Sequence, residues 1–172
     1  MNQAMIAEMK HEAANTRKVL ERVPVDQFGW KPHDKSMSLG RLATHIAELS
    51  SWPAMIIETD ELNFAAREYK ANVAESTEAL LNLFDENVAK ALATLETVSD
   101  ETLMKQWTLR NGDHIILQQP KVVVIRSMCS NHVYHHRGQL TVYLRLLDIH
   151  VPGIYGPSAD DRAIMAAATA AN

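Results

Sequence analysis

The sequence predicts an all-α domain, a bundle of long helices with a small β-hairpin set before the last of them. Long runs with apolar residues recurring every three or four positions point to the helices. An Asn111-Gly112 pair between Trp107-Thr108-Leu109 and Ile115-Ile116-Leu117 points to the hairpin. A length of 172 residues with 47% hydrophobic content is enough for one sizeable core and short for two ordinary domains, so a single domain over residues 1–172 is expected.

The first helix is expected from about Met1 to Val23, where Met5, Ile6, Met9, Ala13, Val19 and Leu20 recur at helical steps until Pro24 ends the run. Asp26 to Ser38 contains Gly29 and Pro32 and reads as a loop, with Ser38 as the N-cap of a second helix from Leu39 to about Thr59. Pro53 interrupts that second run, removes one backbone donor and is expected to kink the axis. Asp60 to Glu75 is polar and weakly periodic. A third helix is expected from a Ser76 cap to about Val98, with Leu80, Phe84, Val88, Ala91 and Leu95 on one face. Gln106 to Pro120 reads as a two-stranded ribbon turning at Asn111-Gly112. The last long helix is expected from Lys121 to about Ile149, ended by the prolines and glycines between Val151 and Pro157. The Ala-rich tail beyond Asp161 suits a helix or a frayed end.

Seventeen Lys plus Arg against 21 Asp plus Glu give a formal charge of -4, with no basic block to serve as a nucleic-acid footprint. The single cysteine, Cys129, excludes an intramolecular disulfide and a thiolate-rich zinc set, which suits a reducing cytoplasm. Charges at Glu8, Lys10, Glu12, Arg17 and Lys18 break the N-terminal stretch, so it is expected as a helix rather than a signal peptide or membrane anchor.

The chain holds eight histidines, so a pair at helical spacing needs a second test, namely the face it occupies. At about 100° per residue, His136 falls about 40° from His132, on the side shared by Ile125, Cys129, Leu140 and Tyr143. On the second helix, His45 lies within about 60° of Leu42, Leu49, Trp52 and Ile56. Three imidazoles on apolar faces are costly to desolvate unless each nitrogen finds a partner, and one shared metal ion satisfies three together. His132 and His136, at i and i+4, form a bidentate clamp, and His45 is the third candidate ligand. The ordinary alternative for any one of them alone is a core histidine bonded to backbone or carboxylate. His135 reads as a flanking neighbour, and His11, His33, His114 and His150 as surface or loop residues.

Glu48 is the candidate catalytic residue, as a general base, or the acceptor of a hydrogen bond from a ligand imidazole; a solvated flank carboxylate is the alternative. Arg137 and Gln139 flank the clamp and are candidates for orienting substrate or ligand rings. Trp52 and Tyr143 are core or pocket aromatics.

The segment Asn131 to Asp148, with a histidine, three residues and then His136-Arg137-Gly138-Gln139, resembles the last helix of the DinB family. Ser36 to Leu49 is similar to that family's second-helix histidine element, and the likeness extends through Trp30 to Gly40, Trp107 to Leu117 and Val151 to Asp161. The resemblance implies a four-helix bundle, often a homodimer, with a divalent metal, zinc or nickel foremost, held by His45, His132 and His136. It also implies chemistry akin to thiol-dependent transferases that use low-molecular-weight thiols. The expected function is therefore a cytoplasmic metal-dependent enzyme, of thiol-transferase or hydrolase type, acting on a small molecule without nucleic-acid or membrane partners. A thiol cofactor needs a partly basic mouth, for which Lys35, Arg41 and Arg137 are candidates. The alternative is a non-catalytic metal-binding bundle that serves as a stress-associated or interaction protein.

Overall fold

A computed structural model of the chain describes residues 1–66 and 70–170. Helix α1 spans Asn2–Leu20, and the loop after it leads to α2 at Leu39–Leu49. Ser38 caps α2 as its composition demands, its hydroxyl accepting from the Arg41 amide at 3.2 Å. The loop lies tightly on α2, because the Leu39 and Gly40 amides donate to the Trp30 and Phe28 carbonyls at 2.8 and 3.0 Å. A Cβ at Gly40 would stand 2.8 Å from the Phe28 side chain. Gly40→Ala is therefore expected to lower stability by about 1 kcal/mol net, since overpacking costs about 1–3 and alanine's helix propensity offsets up to about 1. A urea midpoint that does not fall would show that the Phe28 loop yields freely.

Pro53 does not kink one long helix. The chain breaks at Ser50 and Ser51, and Pro53 stands in the first turn of a separate helix, α3, at Trp52–Glu58. A proline is tolerated there because a first-turn amide has no intrahelical acceptor. Thr77–Thr97 forms α4, capped by Ser76 at 3.0 Å from the Ala79 amide, and Asp100–Leu103 forms the short α5. Leu80, Phe84, Ala91 and Leu95 of α4 are buried, and Val88 is half-buried.

The hairpin consists of β2, Gln106–Asn111, and β3, His114–Pro120, turning at Gly112 with φ +60, a conformation that glycine adopts without strain. A third strand that the sequence does not announce, β1 at Glu61–Asn63, lies parallel to β2 with Glu61 opposite Thr108. Arg110 Nε donates to Glu61 Oε2 at 2.9 Å and ties the two strands. The ribbon is thus a three-stranded sheet in the order β1-β2-β3. Residues 67–69, inside the polar stretch after β1, lie outside the described residues, as do 171 and 172.

The last helical run is composite. Lys121–Val124 is α6, Ile125–Ser130 is a π-helix, and Asn131–Leu146 is α7, one continuous rod in which the middle six residues are wound more widely. Lys121 is buried, its ammonium donating to the Ile57 and Thr59 carbonyls at 2.9 and 2.6 Å at the C-terminus of α3. The tail forms α8, Ala159–Ala170, which buries none of its residues. Its start is tethered by Asp160, which pairs with Arg145 at 2.7 Å and accepts from the Val151 amide at 2.8 Å.

Around the core, α1 packs on α4, α4 on α2, α2 on α7, and α7 on α1. One apolar cluster joins Val19, Leu20, Leu42, Ile46, Leu80, Leu140 and Leu144; a second joins Met5, Ile56, Leu95, Trp107, Val124, Ile125 and Cys129 beneath the sheet. The molecule is mostly helical with one small sheet, and no described helix is long and apolar enough to cross a membrane.

Candidate metal centre

The amphipathic face of α2 delivers His45, and the second and sixth residues of α7 deliver His132 and His136. The three rings converge, with centroids 5.2 Å apart for His45 and His132, 4.9 Å for His45 and His136, and 4.6 Å for His132 and His136. One nitrogen from each lies within 4.8 Å of the other two. Around a tetrahedral zinc with bonds of about 2.05 Å, ligand nitrogens stand roughly 3.3 Å apart, so the rings need a small inward rotation to close on an ion.

Each ring has a partner on its outer side. Nδ1 of His136 donates to Gln139 Oε1 at 2.7 Å, which leaves Nε2 free of that bond. The His132 ring donates to the Met128 carbonyl. In an α-helix that carbonyl would be occupied by the amide four residues on; the wider winding of Ile125–Ser130 loosens this pattern just where the bond is made. His45 Nδ1 stands 3.7 Å from Glu48 Oε2 and 3.5 Å from Arg41 Nη2, and those two are themselves paired at 2.8 Å. Partners of this kind orient imidazoles for metal binding.

Burial lowers the pKa of all three histidines. For His45 it falls to about 4, with the charges of His136, Arg41 and His132 adding to the burial effect. For His132 burial outweighs the Met128 bond, and for His136 it outweighs the Gln139 bond. Neutral imidazoles are the form that binds metal, so the donor set, its spacing and its charge state all fit a divalent ion.

A cavity of about 1290 Å³ opens beside the histidines and includes His45, His132 and Glu48 in its wall. A smaller cavity of about 60 Å³, bordered by Phe84, Cys129 and Tyr134, contains none of the three and has no room for an organic substrate.

The other residues singled out from sequence are dispersed. Trp52 lines the large cavity, whereas Tyr143 packs edge-on against Trp30 at 5.6 Å. Gln139 does hold a histidine. Arg137 does not face the centre: it is buried against α1, donating to Glu12 Oε2 at 2.7 Å. Arg41 is engaged with Glu48, and Lys35 is an exposed loop residue outside the cavity wall. His135 is exposed beside His136 and outside the set of three; His11, His33 and His114 are exposed, and His150 bonds Asp161 at 3.1 Å. Sequence reasoning misses the Met128 carbonyl, which no side-chain pattern announces, and the sheet residues Leu109 and Ile116, which reach the cavity through tertiary packing.

The family model described as DinB family matches residues 1–168. The chain belongs to the DinB family. Among similar DinB-like proteins, YrdA of Bacillus subtilis (strain 168), described as uncharacterized, is 27% identical over 153 residues, covering 87% of this chain and 85% of YrdA. YjoA of the same organism, described likewise, is 28% identical over 131 residues, covering 76% of this chain and 80% of its own. A crystal structure of a DinB-like protein from Bacillus cereus ATCC 10987 superposes with a TM-score of 0.68 at 22% identity, over 89% of this chain and 97% of that one. The crystal structure of Bacillus subtilis YjoA gives 0.67 at 21% identity, over 90% and 99%. At these identities the structural likeness speaks for the DinB fold.

Proposed function

We propose that this chain is a divalent-metal-dependent enzyme of the cytoplasm acting on a small molecule, built on a four-helix bundle of α1, α2, α4 and α7. His45, His132 and His136 are its protein ligands. The observation that carries the reading is the meeting of three imidazoles from two helices within 4.8 Å, with His45 and His132 in the wall of a large cavity. Among the described residues no fourth donor joins them, and three protein ligands leave a position open, as catalytic sites require and closed structural sites do not. Zinc or nickel suits this donor set.

A bound ion there supplies positive charge that lowers the pKa of a nucleophile and polarises an electrophile. The chain's own residues do the rest. Gln139 holds the His136 ring through Nδ1, and the Met128 carbonyl is the acceptor beside the His132 ring. Glu48, at the cavity wall and paired with Arg41, accepts the proton that the nucleophile gives up. Water is favoured over a low-molecular-weight thiol, because an anionic thiol needs cations at the mouth and Lys70 is the one cationic wall residue among those described. A homodimer belongs to the same reading, supported by the exposed apolar residues Val142 and Leu146 on the outer face of α7; light scattering tests it.

Elemental mass spectrometry of untagged protein tests the centre. About one ion per chain is expected, lost in His45→Ala, His132→Ala and His136→Ala and kept in His135→Ala and Glu48→Gln. Protein that stays metal-free after reloading with zinc or nickel would overturn the enzyme reading and leave a binding scaffold.

A further inference from the structure

The wall of the large cavity says more than its volume does. Trp52, Met55, Leu83, Leu109, Ile116 and Met128 give it apolar surface drawn from two helices, the sheet and the π-helix. Four of the five uncharged amide and hydroxyl side chains in the wall, all but Asn72, already bond the protein's own backbone. Asn87 donates to the Ala47 carbonyl at 2.9 Å, and Ser51 donates to the Glu48 carbonyl at 2.8 Å. Thr44 donates to the Gly40 carbonyl at 2.8 Å and accepts from the Ala74 amide at 3.0 Å. Asn63 Oδ1 accepts from the Gly112 and Ala65 amides at 3.0 and 3.1 Å. Among the described residues the charged members of the wall are Glu48, paired with Arg41, and Lys70.

A sugar-like or multiply charged molecule entering this space would give up hydrogen bonds to water and regain few. A hydrocarbon body would gain at every methylene. Within the described wall, His45 and His132 are the groups suited to a metal-binding head. We propose that the site takes amphiphilic small molecules, with an apolar body of roughly eight to ten carbons along Trp52, Met55 and Leu109 and a compact polar reacting head at the histidines. This substrate class rests on the metal-centre reading above for its head group, while its apolar body rests on the wall alone.

Two hydroxamic acids that share a metal-binding head separate the parts. Acetohydroxamic acid has no tail, and octanohydroxamic acid adds six methylenes, each worth about fourfold in affinity when fully buried. By calorimetry on zinc-loaded protein the octano compound is expected to bind at least roughly 100-fold tighter, allowing for incomplete burial. Met55→Asp, at a half-buried position, should weaken the octano compound tenfold or more and change the aceto compound less than twofold. Equal affinities for the two acids, or equal losses in the variant, would overturn the proposal while leaving the metal centre intact. Protein that takes up no zinc would instead sink the metal reading. In that case 1-octanol is titrated into metal-free protein with carbon-13 methionine methyls. Shifts at Met55 and Met128 would uphold the apolar site, and their absence would overturn it.

Discussion

Arg137→Ala is expected to cost about 3–5 kcal/mol of stability, the range for removing one partner of a buried ion pair. Arg137 is 3% exposed, and its guanidinium lies between the Tyr134 and Tyr155 rings, 5.3 and 5.4 Å from their centroids. Nη1 donates to Glu12 Oε2 at 2.7 Å and to Thr16 Oγ1 at 3.2 Å, while Nη2 donates to the Tyr155 hydroxyl at 2.6 Å. Tyr155 donates in turn to Glu12, so three chain segments, α1, α7 and the loop before α8, close on one cation. With Arg137 buried and the Glu12 side chain 13% exposed, little water can take over when the arginine goes, and the Glu12 carboxylate loses the cation that it faces. For a chain of this length the melting temperature should fall by roughly 10 °C. Arg137→Leu combined with Glu12→Leu should recover part of that loss, because it removes both charges. Metal content should stay at the wild-type ratio in the folded fraction of Arg137→Ala. Loss of the ion from folded protein would show that Arg137 also supports the histidines.

Trp107→Ala is expected to cost a similar amount, about 3–5 kcal/mol, for a different reason. The side chain is fully buried at the second residue of β2, packed in one cluster with Ile56, Leu95, Leu103 and Val124, and its indole donates to Thr59 Oγ1 at 3.0 Å. The deletion leaves a cavity among groups that cannot all collapse, since Lys121 holds the end of α3 on the opposite side. Trp107→Phe should cost about half as much, keeping most of the volume and losing the hydrogen bond. Denaturant midpoints at constant slope check both values. A loss below about 1 kcal/mol for Trp107→Ala would mean that the sheet is an appendage rather than part of the core.

The long-period features were legible in the residues. Ser38 and Ser76 mark true helix starts, because a cap needs only its own hydroxyl and an amide three residues on. Asn111-Gly112 marks the turn because glycine adopts the positive φ there without strain. His45 shares a face with Leu42 and Leu49 inside α2, and His132 and His136 share one with Leu140 and Tyr143 inside α7, so these groupings hold. The angles to Trp52 and Ile56 and to Ile125 and Cys129 assume uniform helices across a break and a widened turn. What escaped depends on contacts between elements. Strand β1 is three residues long and exists because Glu61 and Asn63 meet Arg110 and Gly112, which no local pattern encodes. Arg137 flanks the clamp in sequence, where it suits either a substrate-orienting cation or an ion-pair partner, and Glu12, 125 positions away, decides for the ion pair. Lys121 enters the sequence reading only as the start of the last helix, and nothing local announces that it is a buried cap for α3.

The wide turn at Ile125–Ser130 joins two rulers whose marks do not line up. An i→i+5 bond pattern fits one more residue into a turn than an α-helix does, so everything after Ser130 is offset by about one residue, or about 100°, from where a uniform helix would place it. Lys121 and Val124 belong to the first ruler and are aligned to the sheet; His132 and His136 belong to the second and are aligned to α2. One widened turn thus lets an unbroken rod present one phase to the sheet and another to α2.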